Sequence, residues 1–160
     1  PSEAAEAEWA EVDLDAALWT IPARRMKARR EHLVPLPKQA VDMLRRLHAI
    51  SGDRVHLFPG RDDRSRPMSA HSIRQALKVL GWSGTYSPHG TRTTGSTRLN
   101  EMGYRPDAIE AQLAHAEPNS VRRTYNHATY LEERRDMMQA WADKLEIWKR
   151  ESTGEVSRTQ

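Results

Sequence analysis

Five side chains in this sequence could do chemistry together. His89 and Arg92 stand three residues apart in SPHGTR, residues 87–92. Ser87 suits a helix cap and Pro88 the first helical position. His89 and Arg92 then share one face of the first turn, where free backbone N–H groups and the positive end of the helix dipole also point. That is an anion site with a forked guanidinium and an imidazole beside it; an ordinary surface turn would read the same. His115 closes LAH, and Tyr125 follows ten residues later in RRTYNH, beyond a connection containing Pro118. The two can face one site. A Tyr is more often packing, but Arg122, Arg123, Asn126 and His127 give this one a wet, basic setting. Tyr130 is the competing phenol; it precedes an amphipathic helix and reads as packing, while Tyr86 and Tyr104 read as loop or helix-edge residues. Lys27, in RRMKARR, lies between two strands, where a lysine at the tip of a turn can reach into a groove and donate a proton. Most such lysines are solvated charge.

The elements that must position these groups follow from periodicity. Residues 8–15, 17–22 and 32–36 have the patterning of three short strands, with a tight turn at Asp15 and the basic run 23–31 joining the second to the third. They predict a small antiparallel meander at one edge. Helices are expected over 37–50 (apolar positions Ala40, Val41, Leu44, Leu47), 69–82, 88 to near Gly103, 105–115, 117–128 and 130–150. The last carries Leu131, Met138, Trp141, Leu145 and Trp148 on its apolar side. Residues 55–69 read as a short extended piece and a polar loop, and 151–160 as a flexible tail. The fold class is α+β, mainly α: a helical bundle with a three-stranded antiparallel sheet at its edge.

Composition narrows the partner. The 160 residues suit one domain, with a 38% apolar fraction and 29% charged residues. Cysteine is absent, so disulfides and thiolate metal sites are excluded. With no apolar run long enough to span a membrane and no leader pattern, a cytoplasmic location is expected. The chain opens on Pro1, not Met, and is read as cut from a longer protein. The net charge of +3 conceals an asymmetry. Residues 1–16 hold six acids and no Lys or Arg, leaving 25 basic against 16 acidic residues in the remainder. Such a body suits a polyanion, though a solvated charged face has the same composition.

With those motifs in place, the sequence resembles the catalytic domain of a tyrosine recombinase of the phage and genomic-island integrase type. HGTR matches the family's His-x-x-Arg box. LAH matches its Leu-Gly-His box, with Ala114 where Gly is commoner. RRTYNHA matches the box that carries the tyrosine, and WTIPARRMK followed by EHLVPL matches the β-region that carries the lysine. WADKL resembles the tail of the same subgroup. The likeness runs from Glu3 to about Trp148, which makes 1–150 the catalytic domain. The family carries a further arginine in an Arg-x-x-Glu box; here Glu3 matches its Glu, and the arginine would stand just before Pro1. The domain is therefore expected to be truncated at its N-terminus, to keep the fold and most of the site, and to cleave poorly alone.

The resemblance implies a division of labour that the chemistry supports. Tyr125 would attack a scissile phosphodiester of double-stranded DNA, giving a 3′-phosphotyrosine and a free 5′-hydroxyl. A phenol titrates near pH ~10, so it needs help to lose its proton. Arg92 and His115 would stabilise the added charge on the non-bridging oxygens, His89 would serve as acid/base toward Tyr125, and Lys27 would protonate the departing 5′-oxygen. No metal or cofactor is expected, because cationic side chains take that role. Arg24, Arg25, Arg29, Arg30, Arg122 and Arg123 would grip backbone phosphates. His32, His48, His56 and His71 read as structural. The family acts as a tetramer on two duplexes, with the fragment alone compatible with a monomer. The competing classes are a non-catalytic basic DNA-binding module, which needs no Tyr125, and a metal-free nuclease, which leaves no protein on the cut end. A type IB topoisomerase would share the chemistry; the β-region and closing helix favour recombination.

Overall fold

The computed structural model describes residues 2–114 and 130–153. The expected sheet is present: β1 (Val12–Asp13), β2 (Leu18–Ile21) and β3 (His32–Pro35) pair antiparallel in chain order. Trp19 faces Val12 on one side and Val34 on the other, and Ile21 faces His32. Asp13 makes the first turn, its Oδ1 accepting from the backbone N–H groups of Asp15 at 3.0 Å and Ala16 at 2.8 Å.

β1 is shorter than the patterning of residues 8–15 predicts. Trp9–Glu11 is a 3-10 turn. Trp9 turns its indole N–H to the Ser51 carbonyl at 2.9 Å instead of adding to the sheet. Glu11 points inward, where its carboxylate accepts from the Trp19 indole at 3.1 Å and pairs with Arg25. An extended backbone would put both side chains on one face of the sheet; the turn instead sends Trp9 toward Ser51 and Glu11 toward Trp19 and Arg25.

Six helices complete the described residues: α1 (Ser2–Ala5), α2 (Lys38–Ser51), α3 (Ala70–Val79), α4 (Pro88–Glu101), α5 (Pro106–Gln112) and α6 (Leu131–Thr153). The cap signals hold. Ser69 Oγ accepts from the Ser72 N–H at 3.3 Å, and Ser87 Oγ accepts from the Gly90 N–H at 3.1 Å. Gly103, past the end of α4, takes φ +83°, which a side chain disfavours. The helix expected over 117–128 lies outside the described residues. Residues 151–153 of the expected tail belong to α6. Among the described residues no helix is long and apolar enough to cross a membrane.

The core that holds the site elements is small. Leu99 of α4, Ala108 and Ile109 of α5 and Met137 of α6 are buried together, with Tyr104, Leu113, Met138 and Trp141 packed around them. α6 also lies against β3. Its buried stripe differs from the predicted one. Met138 and Trp141 face the core, but Leu145, one turn further, is 45% exposed. The largest fully buried side chain of α6 is charged. Arg134 has no exposed surface; its Nε donates to Gln112 Oε1 at 2.9 Å and its Nη2 to the Leu33 carbonyl. Burial pulls its pKa down to about 10, so it remains a cation at neutral pH.

Ala114, just past α5, sits at φ +52°, in the left-handed region. This explains why glycine fits the middle of that box: the backbone there costs an L-residue about 1–2 kcal/mol. Ala114→Gly is therefore expected to stabilise the protein by about 0.5 kcal/mol after the larger entropy loss of glycine is deducted; chemical denaturation checks the sign. Arg134→Ala strands two buried acceptors and opens a cavity. It is expected to lower the unfolding free energy by about 3 kcal/mol or more, whereas Leu145→Ala stays within about 0.5 kcal/mol.

Candidate active site

Among the described residues, the HGTR box, the end of the β2–β3 connection and the start of α6 meet at the end of α5. Arg92, half-buried on the first turns of α4, donates from Nη2 to the Leu113 carbonyl. The HGTR box is thereby tied to the LAH box, one residue before the strained Ala114 and two before His115. The imidazole Nε2 of His32, at the start of β3, lies 3.2 Å from the Gln112 carbonyl. That contact ties the end of the β2–β3 connection, which holds Lys27, to the same turn. Arg134 reaches the Gln112 side chain from the first turns of α6, the helix that follows the Tyr125 segment. Three of the four motif regions thus share one anchor.

Lys27 itself is exposed at the tip of a turn. The Arg29 N–H donates to the Met26 carbonyl at 3.0 Å, which makes Lys27 and Ala28 the central residues of a β-turn. Met26 beside it is buried and fastens the base of the turn. His89 is exposed on the first turn of α4. Next to it, the Tyr86 hydroxyl lies 2.6 Å from Thr91 Oγ1, so Tyr86 belongs to the helix entrance. His115 and Tyr125 lie outside the described residues, as do Arg122 and Arg123. Tyr130 has a packing role: Arg105 lies over its ring, 5.0 Å from the centroid, and donates to its hydroxyl at 3.2 Å.

The four arginines of the β2–β3 connection divide in two. Arg24, Arg29 and Arg30 are exposed, and Arg24 makes only a 3.6 Å contact with Glu8. Arg25 is different. Its side chain is 10% exposed, its Nη1 is paired with the buried Glu11 carboxylate and its Nη2 with the Glu3 carbonyl on α1. Both terminal nitrogens are engaged inside the protein, while its buried Nε has no partner among the described residues, and it holds the Lys27 turn against the first helix. The histidines read as structural are in protein contacts: His48 stacks edge-on against Trp9 with centroids 4.7 Å apart, His56 bridges to Glu8, and His71 Nε2 is 3.1 Å from Gln75 Nε2.

Sequence reasoning missed Gln112 and Arg134. EERR at the start of an amphipathic helix reads as a solvated face, and a half-buried Gln has no signature. A charged residue at 134 in step with Met137, Met138 and Trp141 was the only signal that could have found the second.

The comparisons agree with this architecture. Residues 1–132 match the phage integrase family. The prophage integrase IntA of Escherichia coli K12 is 50% identical over 143 residues, covering 89% of this chain and 35% of its own. The integrase of Enterobacteria phage P4 is 43% identical over 162 residues, covering 91% of this chain and 37% of its own. The chain therefore spans about a third of the length of these curated relatives. Among solved structures, the integrase from mycobacterium phage Brujita superposes with a TM-score of 0.61 at 19% identity, over 86% of this chain and 45% of its own, which is a likeness of fold. On the family match and these identities together, the chain belongs to the phage integrase family.

Proposed function

We propose that this chain is the strand-cleaving domain of a site-specific DNA recombinase, working through a covalent 3′-phosphotyrosine. The observation that supports the reading most is the shared anchor at Gln112 and Leu113. Cleavage needs cations from distant parts of the sequence held around one phosphorus atom, and Arg92, the Lys27 connection and the α6 helix are all tethered to that turn.

In this reading Tyr125 attacks the phosphorus of one DNA strand. The 5′-oxygen leaves with a proton from Lys27, and His89 helps remove the proton of the phenol. Arg92 and His115 carry the extra charge on the non-bridging oxygens. Arg92 suits this part because its half-buried guanidinium is already oriented by the Leu113 carbonyl, and a guanidinium has further donors to offer a phosphate. The bond energy of the phosphodiester is conserved in the phosphotyrosine, so a second 5′-hydroxyl can reverse the step and rejoin strands without ATP. Residues 1–150 form the catalytic domain, double-stranded DNA is its partner, and a tetramer on two duplexes is the working assembly. Arg24, Arg29 and Arg30, with Arg122 and Arg123, hold backbone phosphates.

Two outcomes are expected in an intact integrase containing this domain. Tyr125→Phe abolishes covalent protein–DNA adducts on a denaturing gel while DNA binding persists. Adducts that survive the change, or cleaved ends with no protein attached, would refute the recombinase reading. Arg92→Lys keeps the charge but loses the fork, and is expected to slow adduct formation by about 10²-fold or more.

The basic connection makes a separate forecast. Arg29→Ala is expected to reduce the slope of log affinity against log salt by about 0.9, the share of one phosphate contact. Arg25→Ala should leave that slope unchanged and lower thermal stability, because its partner is Glu11 and not DNA.

A further inference from the structure

We propose that Arg134 is a positioning residue, which acts through Gln112 to fix the end of α5 and so the carbonyl that orients Arg92. The proposal rests on the recombinase reading above, in which Arg92 meets the phosphate.

The observation behind it is an unusual burial. Arg134 is fully enclosed, yet among the described residues no carboxylate pairs with it, and its Nη1 has no hydrogen-bond partner there. Its contacts are neutral: Gln112 Oε1 and the Leu33 carbonyl. Enclosing a cation without a counter-charge costs several kcal/mol in general, and an apolar side chain of similar volume would fill the space without that cost. Stability alone is a poor reason for the residue. What a guanidinium supplies, and a methionine does not, is a rigid planar fork that sets two directions at once. Here the fork joins β3 to the end of α5.

The position of Gln112 gives that junction a consequence. Leu113, the next residue, accepts from Arg92, and the one after it, Ala114, holds φ +52°. A non-glycine residue keeps such a backbone only when its surroundings over-determine it. Gln112 is held twice, by Arg134 at its side chain and by His32 at its carbonyl. The apolar contacts of Ala108 and Ile109 secure the body of α5, and the Leu113 side chain packs against the same cluster, but apolar packing places a side chain without setting the direction of its backbone carbonyl. Releasing the Gln112 side chain therefore loosens the direction of the Leu113 carbonyl while the core, the Leu113 side chain included, stays packed. Arg134 also lies at the start of α6, so one bond fastens both flanks of the segment that contains His115 and Tyr125.

Gln112 offers a milder test than Arg134 itself, because the core remains intact. Gln112→Leu removes the acceptor; Gln112→Glu restores an oxygen at the same place. In an intact integrase at saturating DNA, Gln112→Leu is expected to slow single-turnover adduct formation by about 10- to 100-fold with an unchanged DNA dissociation constant. Gln112→Glu should recover the rate to within about twofold. With 15N-arginine labelling, the Arg92 guanidinium resonance should move in Gln112→Leu and return in Gln112→Glu. A Gln112→Leu protein that melts earlier but reacts at the parental rate would show that the contact is structural only and overturn the proposal. An unmoved Arg92 resonance would overturn it equally, whatever the rate. If the parental protein forms no adduct, the recombinase reading fails by itself, and the resonance still decides whether Arg134 and Gln112 orient Arg92.

Discussion

The guanidinium of Arg134 is the constraint on which the arrangement turns. It is a full charge in the interior, held as a cation although burial lowers its pKa to about 10. Water cannot satisfy it, so β3 and α5 must present oxygen atoms to it. Both elements reach it because α6 packs against each of them. The apolar core of Leu99, Ala108, Ile109 and Met137 brings the three helices together, but greasy contact is tolerant of small slips. Directional bonds to a buried fork are not.

The same logic sorts the basic residues. All Arg side chains carry the same charge, yet their neighbours give them three different uses. Arg134 is buried with no counter-charge among the described residues and, as proposed above, specifies geometry. Arg25 is buried against Glu11 and fastens the Lys27 turn to α1. Arg24, Arg29 and Arg30 remain in solvent, where the gain from pairing with a protein carboxylate is small and phosphates can compete. In the proposed reading, the polyanion-binding surface is carried by the exposed arginines and rests on others that the protein cannot release.

Much of this was legible in the chain. The cap at Ser87 and Pro88 located α4, and with it His89 and Arg92 on one turn, because capping is local and depends on side chains a few residues apart. The alternation around Trp19 and Leu33 located two strands of the sheet. The overlooked features are those decided by distant partners. Trp9–Glu11 left the strand pattern because Glu11 needed Trp19 and Arg25 beside it, fourteen residues away in the second case. Leu145 is exposed although Trp148, further along α6, still meets Arg98 of α4, and which positions of a helix meet a partner is not written in periodicity alone. Arg134 reads as surface charge until the fold puts Leu33, 101 residues away, against it.

The central claim is that one phenol in this chain takes up a DNA strand while cations anchored to the end of α5 carry the charge. Mass-spectrometric mapping of the residue that retains a nucleotide, after denaturing capture of an intact integrase on a nicked duplex, tests it most directly. The account predicts the nucleotide on Tyr125, joined through a 3′-phosphate. A nucleotide on Tyr130, or DNA cut with no modified tyrosine, would contradict it.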